Sequence, residues 1–89
     1  MAKIKVKKVI DGDTFQDLKN KFFRLANVNA PEKRKSGFQK AKETLKKLIQ
    51  KEELIIKVEG ESYNRKVVIA RKLGEKTTVN EKMRRKGYK

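Results

Sequence analysis

Five short apolar runs in strand-like alternation, with one amphipathic stretch between the third and the fourth, leave this chain few ways to fold. Ile4 and Val6 alternate with Lys3, Lys5 and Lys7, the pattern of a half-buried strand with a basic outer face. The alternation changes register at Lys8-Val9-Ile10, where a bulge or bend is expected. Thr14 to Leu18 and Lys21 to Val28 read as two more strands, and Lys19-Asn20 between them as the turn of a hairpin. Glu53 to Val58 alternates through Leu54, Ile56 and Val58 as a fourth strand. Gly60 to Asn64 reads as a loop, and Arg65 or Lys66 to Lys72 as a fifth strand. Asn29 to Gly37 is a loop holding the single proline. The helix after it carries Phe38, Ala41, Leu45, Leu48 and Ile49 on one face and lysines elsewhere. Ser36 with Gln39, and Thr78 with Glu81, have the spacing of capping boxes; the second opens a short helix running to about Lys86.

The order is three strands, a helix, two strands and a helix. Within 89 residues that is one domain, residues 1–89, with one modest core. The fold class expected is mainly β with helices (α+β). Its form is a five-stranded Greek-key barrel of the oligonucleotide-binding (OB) type, with a helix between strands 3 and 4 and a C-terminal helix. The N-terminal segment lacks a long apolar run, so neither a signal peptide nor a membrane span is expected. Cytoplasmic location is the default reading, with a trimmed, secreted mature form as the alternative.

Charge narrows the partners. The chain has 26 Lys plus Arg against 11 Asp plus Glu, a net charge of +15. Such a chain repels itself unless an anion is near, and nucleic acid is the leading candidate because neutralised phosphates release counterions. An anionic membrane would need a strongly amphipathic helix, and the helix here has a narrow apolar face without Trp. Lysine enrichment also suits the surface of a heat-adapted protein, but acidic residues do not balance it. The chain has neither Cys nor His. Disulfides and thiolate chemistry are excluded, and so are the usual general base and zinc ligand. Hydrolytic chemistry would have to use carboxylates, Tyr, Lys or a hard, oxygen-bound metal.

Carboxylates are scarce, so their placement matters. Asp11-Gly12-Asp13-Thr14 lies where the first strand gives way to the second. It can point a carboxylate at a cation, or be an ordinary Asp-Gly turn. Arg24 lies within the apolar third strand, facing either a ligand or open solvent. Glu32 follows Pro31 in a loop, and Arg65 follows Tyr63-Asn64; each can equally be a solvated surface residue.

Together and in order, these pieces resemble the staphylococcal nuclease (thermonuclease) family. The matching stretches are Val9-Ile-Asp-Gly-Asp-Thr14, Phe23-Arg-Leu25 leading into Val28-Asn-Ala-Pro-Glu32, Tyr63-Asn-Arg65, and Val79-Asn-Glu81 with Gly87. The resemblance implies the same barrel and calcium-dependent cleavage of DNA and RNA. It implies Asp13 as a direct metal ligand, with Asp11 behind it and out of direct contact. Arg24 and Arg65 would grip the scissile phosphate, and Glu32 would position or deprotonate the attacking water. Calcium takes several oxygen ligands in irregular geometry, and paired guanidiniums stabilise charge gathering on a phosphoryl group. Glu32 is the natural proton acceptor where histidine is missing.

Three positions depart from the family. Asn29 stands where a second metal-binding Asp is usual, and can offer an oxygen without charge. Ala30 stands where Thr is usual; that position contributes a backbone carbonyl, which Ala30 retains. Ser62 replaces a usual Lys, and the family's later tyrosines and third helix have no counterpart in these residues. Two functions of different class follow. One is a calcium-dependent nuclease with weakly bound Ca2+. The other is a catalytically weak or inactive module that binds single-stranded nucleic acid. An unrelated basic adaptor fits the ordered motifs poorly. In either of the first two, a monomer is expected. Lysines of the first strand and the helix would hold single-stranded DNA or RNA, with Tyr63 as a stacking platform or as a core-flanking aromatic. About four to six phosphate contacts would make affinity steeply salt-dependent.

Overall fold

The computed structural model describes residues 1–89. Strands β1 (Ala2–Asp11), β2 (Thr14–Asp17), β3 (Phe22–Leu25), β4 (Glu53–Ser62) and β5 (Arg65–Lys72) close into a barrel in the order β1-β2-β3-β5-β4. Helix α1 (Phe38–Ile49) lies between β3 and β4, and α2 (Val79–Arg85) follows β5. The mainly β barrel with two helices read from the sequence is therefore present. No helix is long and apolar enough to cross a membrane.

Closure depends on one parallel seam, β3 against β5, with Leu25 opposite Val68. A parallel pair needs a long crossover, and α1 with β4 supplies it. Every other pairing is antiparallel. The interior is filled by the inward residues of each strand together with Leu45 and Ile49 of α1 and Val79 and Met83 of α2. Phe15 and Phe23 stack with ring centroids 5.5 Å apart at its centre. Each such side chain contributes about 1.5–3 kcal/mol by burial. The expected irregularity in β1 is present as two register shifts against β2, at Val6/Lys8 and at Val9/Asp11.

The β2–β3 hairpin turns where expected, and Asp17 explains why it is tight. Its Oδ1 accepts the backbone N–H groups of Lys19 (3.0 Å) and Lys21 (2.9 Å). Asn80 ties α2 to the barrel. Its Nδ2 donates to the carbonyls of Ala26 (2.9 Å) and Val68 (3.0 Å), and its Oδ1 accepts the Ala70 N–H (2.9 Å).

Four details differ from expectation. The Ser36–Gln39 capping box does not form. Gly37, in a left-handed conformation (φ 85°), is the N-cap without a side-chain bond, and Gln39 donates to Glu43 instead. The helix starts one residue later than that box requires, so Ser36 falls outside the capping position. The Thr78 box does form, with Thr78 Oγ1 accepting from Glu81 N at 3.0 Å. β4 runs on through Gly60 to Ser62, because it keeps pairing with β5 past a bulge at Val58/Gly60. β3 is shorter than its apolar run: Ala26 and Val28 are buried in the segment that follows it. Tyr63 does not flank the core; it is 90% exposed at the tip of the β4–β5 hairpin.

Candidate active site

The turn between β1 and β2 sets the site. Asp11 pairs across it with Thr14, so Gly12 and Asp13 are the turn itself. Gly12 is needed for packing. A Cβ there would lie 2.5 Å from Ala30 Cβ and 2.7 Å from Ala41 Cβ, which means the 29–32 loop and α1 both press onto this turn. That contact brings the loop carrying Asn29, Ala30 and Glu32 beside Asp11 and Asp13. β3 brings Arg24 opposite Thr14, and the start of β5 brings Arg65.

Asp11, Asp13, Arg24, Asn29, Ala30, Glu32 and Arg65 line one cleft of about 400 Å³. Lys33, to which sequence reasoning assigned no role, lines it too. Tyr63 is not part of its wall; it stands on the same hairpin, two residues before Arg65.

Asp13 is the buried centre of this cleft. Its backbone N–H donates to Asp11 Oδ1 (3.1 Å), which fixes the turn. Its Oδ1 accepts from the Thr14 hydroxyl (2.9 Å), and its Oδ2 lies 3.3 Å from Arg24 Nη2. Burial first, then the hydrogen bond and charge of Asp11, push its carboxyl from 3.8 up to about 6, against the opposing pull of Thr14 and Arg24. Arg24 is held on all sides. Nη1 donates to the Leu25 carbonyl, and Nη2 to the Val28 carbonyl and to Asn29 Oδ1, each at 3.2 Å. Thr14 also went without a role in the sequence reading. Its hydroxyl accepts from Arg65 Nη1 at 3.1 Å, so one hydroxyl joins the Asp13 carboxylate to the second guanidinium. Its partner Arg65 is 51 residues away, and no local signal marks the pair. Glu32 is exposed, with its carboxylate free at the rim.

The donor chemistry suits a hard cation. Asp13 Oδ2 and Asn29 Oδ1 both converge on one positively charged nitrogen, Arg24 Nη2, and all side-chain donors here are oxygens. Asp11, Asp13 and Glu32 share the cleft but do not come close enough together for three carboxylates to hold one ion. A cation here would rest on one carboxylate, an amide oxygen and a backbone carbonyl, completed by water. That set fits calcium at low affinity.

The family model described as "Staphylococcal nuclease homologue" matches residues 22–89, from β3 to the last residue. The chain belongs to the staphylococcal nuclease family. Membership accounts for the barrel, and the cleft residues Arg24, Asn29, Glu32 and Arg65 lie inside the matched segment. Asp11 and Asp13 lie before it, so their place beside those residues is a finding of the geometry alone. The family is one of nucleases and nucleic-acid-binding domains, in general calcium-dependent. No curated protein matches this member.

Proposed function

We propose that this chain is a calcium-dependent nuclease that hydrolyses phosphodiester bonds of DNA and/or RNA, preferring single strands and acting as a monomer. The observation that carries the reading is the single cleft in which two carboxylates, a free glutamate and two guanidiniums face one another. The closed barrel, which leaves no strand edge for pairing, supports the monomer.

Asp13, Asn29 and the Ala30 carbonyl would hold the ion, with Asp11 behind Asp13. Bound there, calcium supplies a Lewis acid for a phosphoryl oxygen. The chain's own groups do the rest. Arg24 and Arg65 bind the phosphate and neutralise the charge that gathers on its equatorial oxygens. Thr14 holds Arg65 in register with Asp13. Glu32, exposed at the rim, orients a water and takes its proton as the new P–O bond forms. The leaving oxygen departs with a proton from solvent.

One observation favours a second reading, a module that binds single strands without cutting them. Asn29 brings an oxygen but no charge, which weakens a cation site inside a strongly positive protein. Incubation with labelled single-stranded DNA and RNA, with calcium or with chelator, separates the two. Calcium-dependent shortening of the strands is expected. Intact strands at high calcium and alkaline pH would leave the binder.

A further inference from the structure

A second cavity, of about 390 Å³, opens at the other end of β1. Ile4, Leu18, Ile56 and Val58 form its apolar floor. Leu18 is 61% and Val58 48% exposed, so this floor faces water. Lys3, Lys5, Lys19, Lys21 and Lys66 surround it. Lys3 and Lys66 have loose partners in Glu53 and Glu61, whereas Lys5, Lys19 and Lys21 make no ion pair. The one acid in the lining is Asp17, which is buried and committed to the Lys19 and Lys21 amides. The groove therefore presents cations around an apolar surface, with no accessible carboxylate in its own lining. The cleft, by contrast, presents Asp11, Asp13 and Glu32 among its cations.

Like charges gathered around an exposed apolar floor do not help the fold; they repel one another. They suit a ligand that is anionic and partly apolar. A single-stranded polynucleotide has both properties along its whole length. A membrane surface would call for a wider set of projecting apolar side chains than the two well-exposed floor residues, Leu18 and Val58, supply. Lys3 and Asp11 lie eight residues apart on the same strand, so groove and cleft are separated by about 25 Å. That span is within the several nucleotides an oligonucleotide-binding barrel covers.

We propose that this groove is a second anchoring subsite for the strand held in the cleft, with bases against the floor and phosphates on the lysine rim. The proposal rests on the nuclease reading for the strand's identity. It makes the groove a determinant of length preference: long strands reach both places, short ones only the cleft.

The test uses Lys19→Glu/Lys21→Glu. Asp17 holds the backbone amides of these residues, not their side chains, so the hairpin survives the change. Binding is followed by fluorescence anisotropy in chelator, so that no strand is cut. For a strand of roughly twenty nucleotides, affinity is expected to fall about tenfold, and the salt slope to drop by about 1.4 for the two lost contacts. A dinucleotide should bind, and in calcium be cleaved, as by the unchanged chain. Leu18→Ser should weaken the long strand about threefold with the salt slope intact, because it removes floor and not charge. Lys76→Glu/Lys89→Glu makes the same change in net charge at exposed positions outside the groove. Equal weakening by both double variants would overturn the groove in favour of general attraction. Loss of binding to phosphatidylserine vesicles by the groove variant, with strand binding untouched, would overturn it in favour of a membrane. If the unchanged chain neither binds nor cuts any oligonucleotide, the nuclease reading falls and the groove with it. If it cuts, and the groove variant holds long strands normally, the groove alone falls.

Discussion

Arg24 Nη2 sits 3.3 Å from Asp13 Oδ2, and the same nitrogen is 3.2 Å from Asn29 Oδ1 and from the Val28 carbonyl. Two N–H bonds thus serve three oxygens. Two of those oxygens belong to the side chains proposed to hold a cation, so the guanidinium and the cation draw on the same acceptors. Asn29→Asp adds charge to both contacts. The Arg24 contact strengthens, and so does the cation site, which has only one carboxylate to begin with. A divalent ion gains more from an added charge than a monovalent group does. Calorimetric titration is expected to show calcium affinity rising about tenfold, or ~1.4 kcal/mol. Equal affinity in the two proteins would remove Asn29 as the weak point of the site.

Asp13 should cost the free protein stability near neutral pH. Its carboxyl is pushed up to about 6 in the folded chain from an ordinary 3.8. Below 3.8 it is protonated in both states and no penalty exists. As pH rises through that interval the unfolded chain releases the proton first, and the fold loses stability; above 6 the loss is complete. Asp13→Asn copies the neutral carboxyl. In chelator it should melt about 5 °C above the unchanged protein at pH 8, corresponding to ~1 kcal/mol, with no difference at pH 3. Calcium should stabilise only the unchanged protein. Identical melting at pH 8 in chelator would contradict this account.

Much of this arrangement is legible in the chain because it is local. Alternation in β1, β4 and β5 marks strands, the apolar face of α1 marks its docking side, and Thr78 with Glu81 marks the start of α2. Asp11, Asp13, Arg24, Glu32 and Arg65 stand out as charged residues in motif contexts. What escapes is set by partners distant in sequence. Ser36 and Gln39 have capping-box spacing, but the fit of α1 against Gly12 and the barrel determines where the helix begins. β4 continues past its apolar run because pairing with β5 continues. Thr14 looks like any strand threonine until Arg65 folds against it. The groove unites β1, the β2–β3 turn, β4 and β5, none of which signals it alone.

Tyr63 carries a positive φ of 48°, and Asn64 one of 65°, as a tight primed hairpin turn requires. Asn tolerates that conformation, whereas an aromatic residue is unusual in it. A ring that is 90% exposed in such a place contributes little to the core. Tyr63→Ala should leave melting within about 1 °C. If Tyr63 stacks on a base, the same change weakens single-strand binding by about 1–3 kcal/mol, or roughly tenfold to a hundredfold. Anisotropy titrations giving equal affinities would reduce Tyr63 to a turn residue.

Asn80 makes three hydrogen bonds to backbone groups at the β3 end and in β5, and it is buried. Asn80→Ala takes this partner from the buried Ala70 N–H and the Ala26 carbonyl, while the Val68 carbonyl keeps the Ala26 N–H. The expected loss is about 3 kcal/mol, measured by urea unfolding at an unchanged slope. Asn80→Asp should be nearly as harmful, since it keeps the acceptor for Ala70 and loses both donors. A loss under 1 kcal/mol would mean that α2 is held by Val79 and Met83 alone.

Gly12→Ala tests whether packing on the turn shapes the cation site. The added methyl would lie 2.5 Å from Ala30 Cβ and 2.7 Å from Ala41 Cβ, so the 29–32 loop or α1 must give way. Overpacking of this kind costs about 1–3 kcal/mol. The loop has less to hold it than the helix, which is anchored by Leu45 and Ile49. Ala30 should therefore move, taking its carbonyl and Asn29 away from Asp13. Calcium affinity is expected to fall more than melting temperature does, and Ala30→Gly in the same chain should restore part of both by vacating the nearer clash. If affinity survives while stability drops, α1 has shifted instead of the loop, and the turn positions the helix without shaping the cation site.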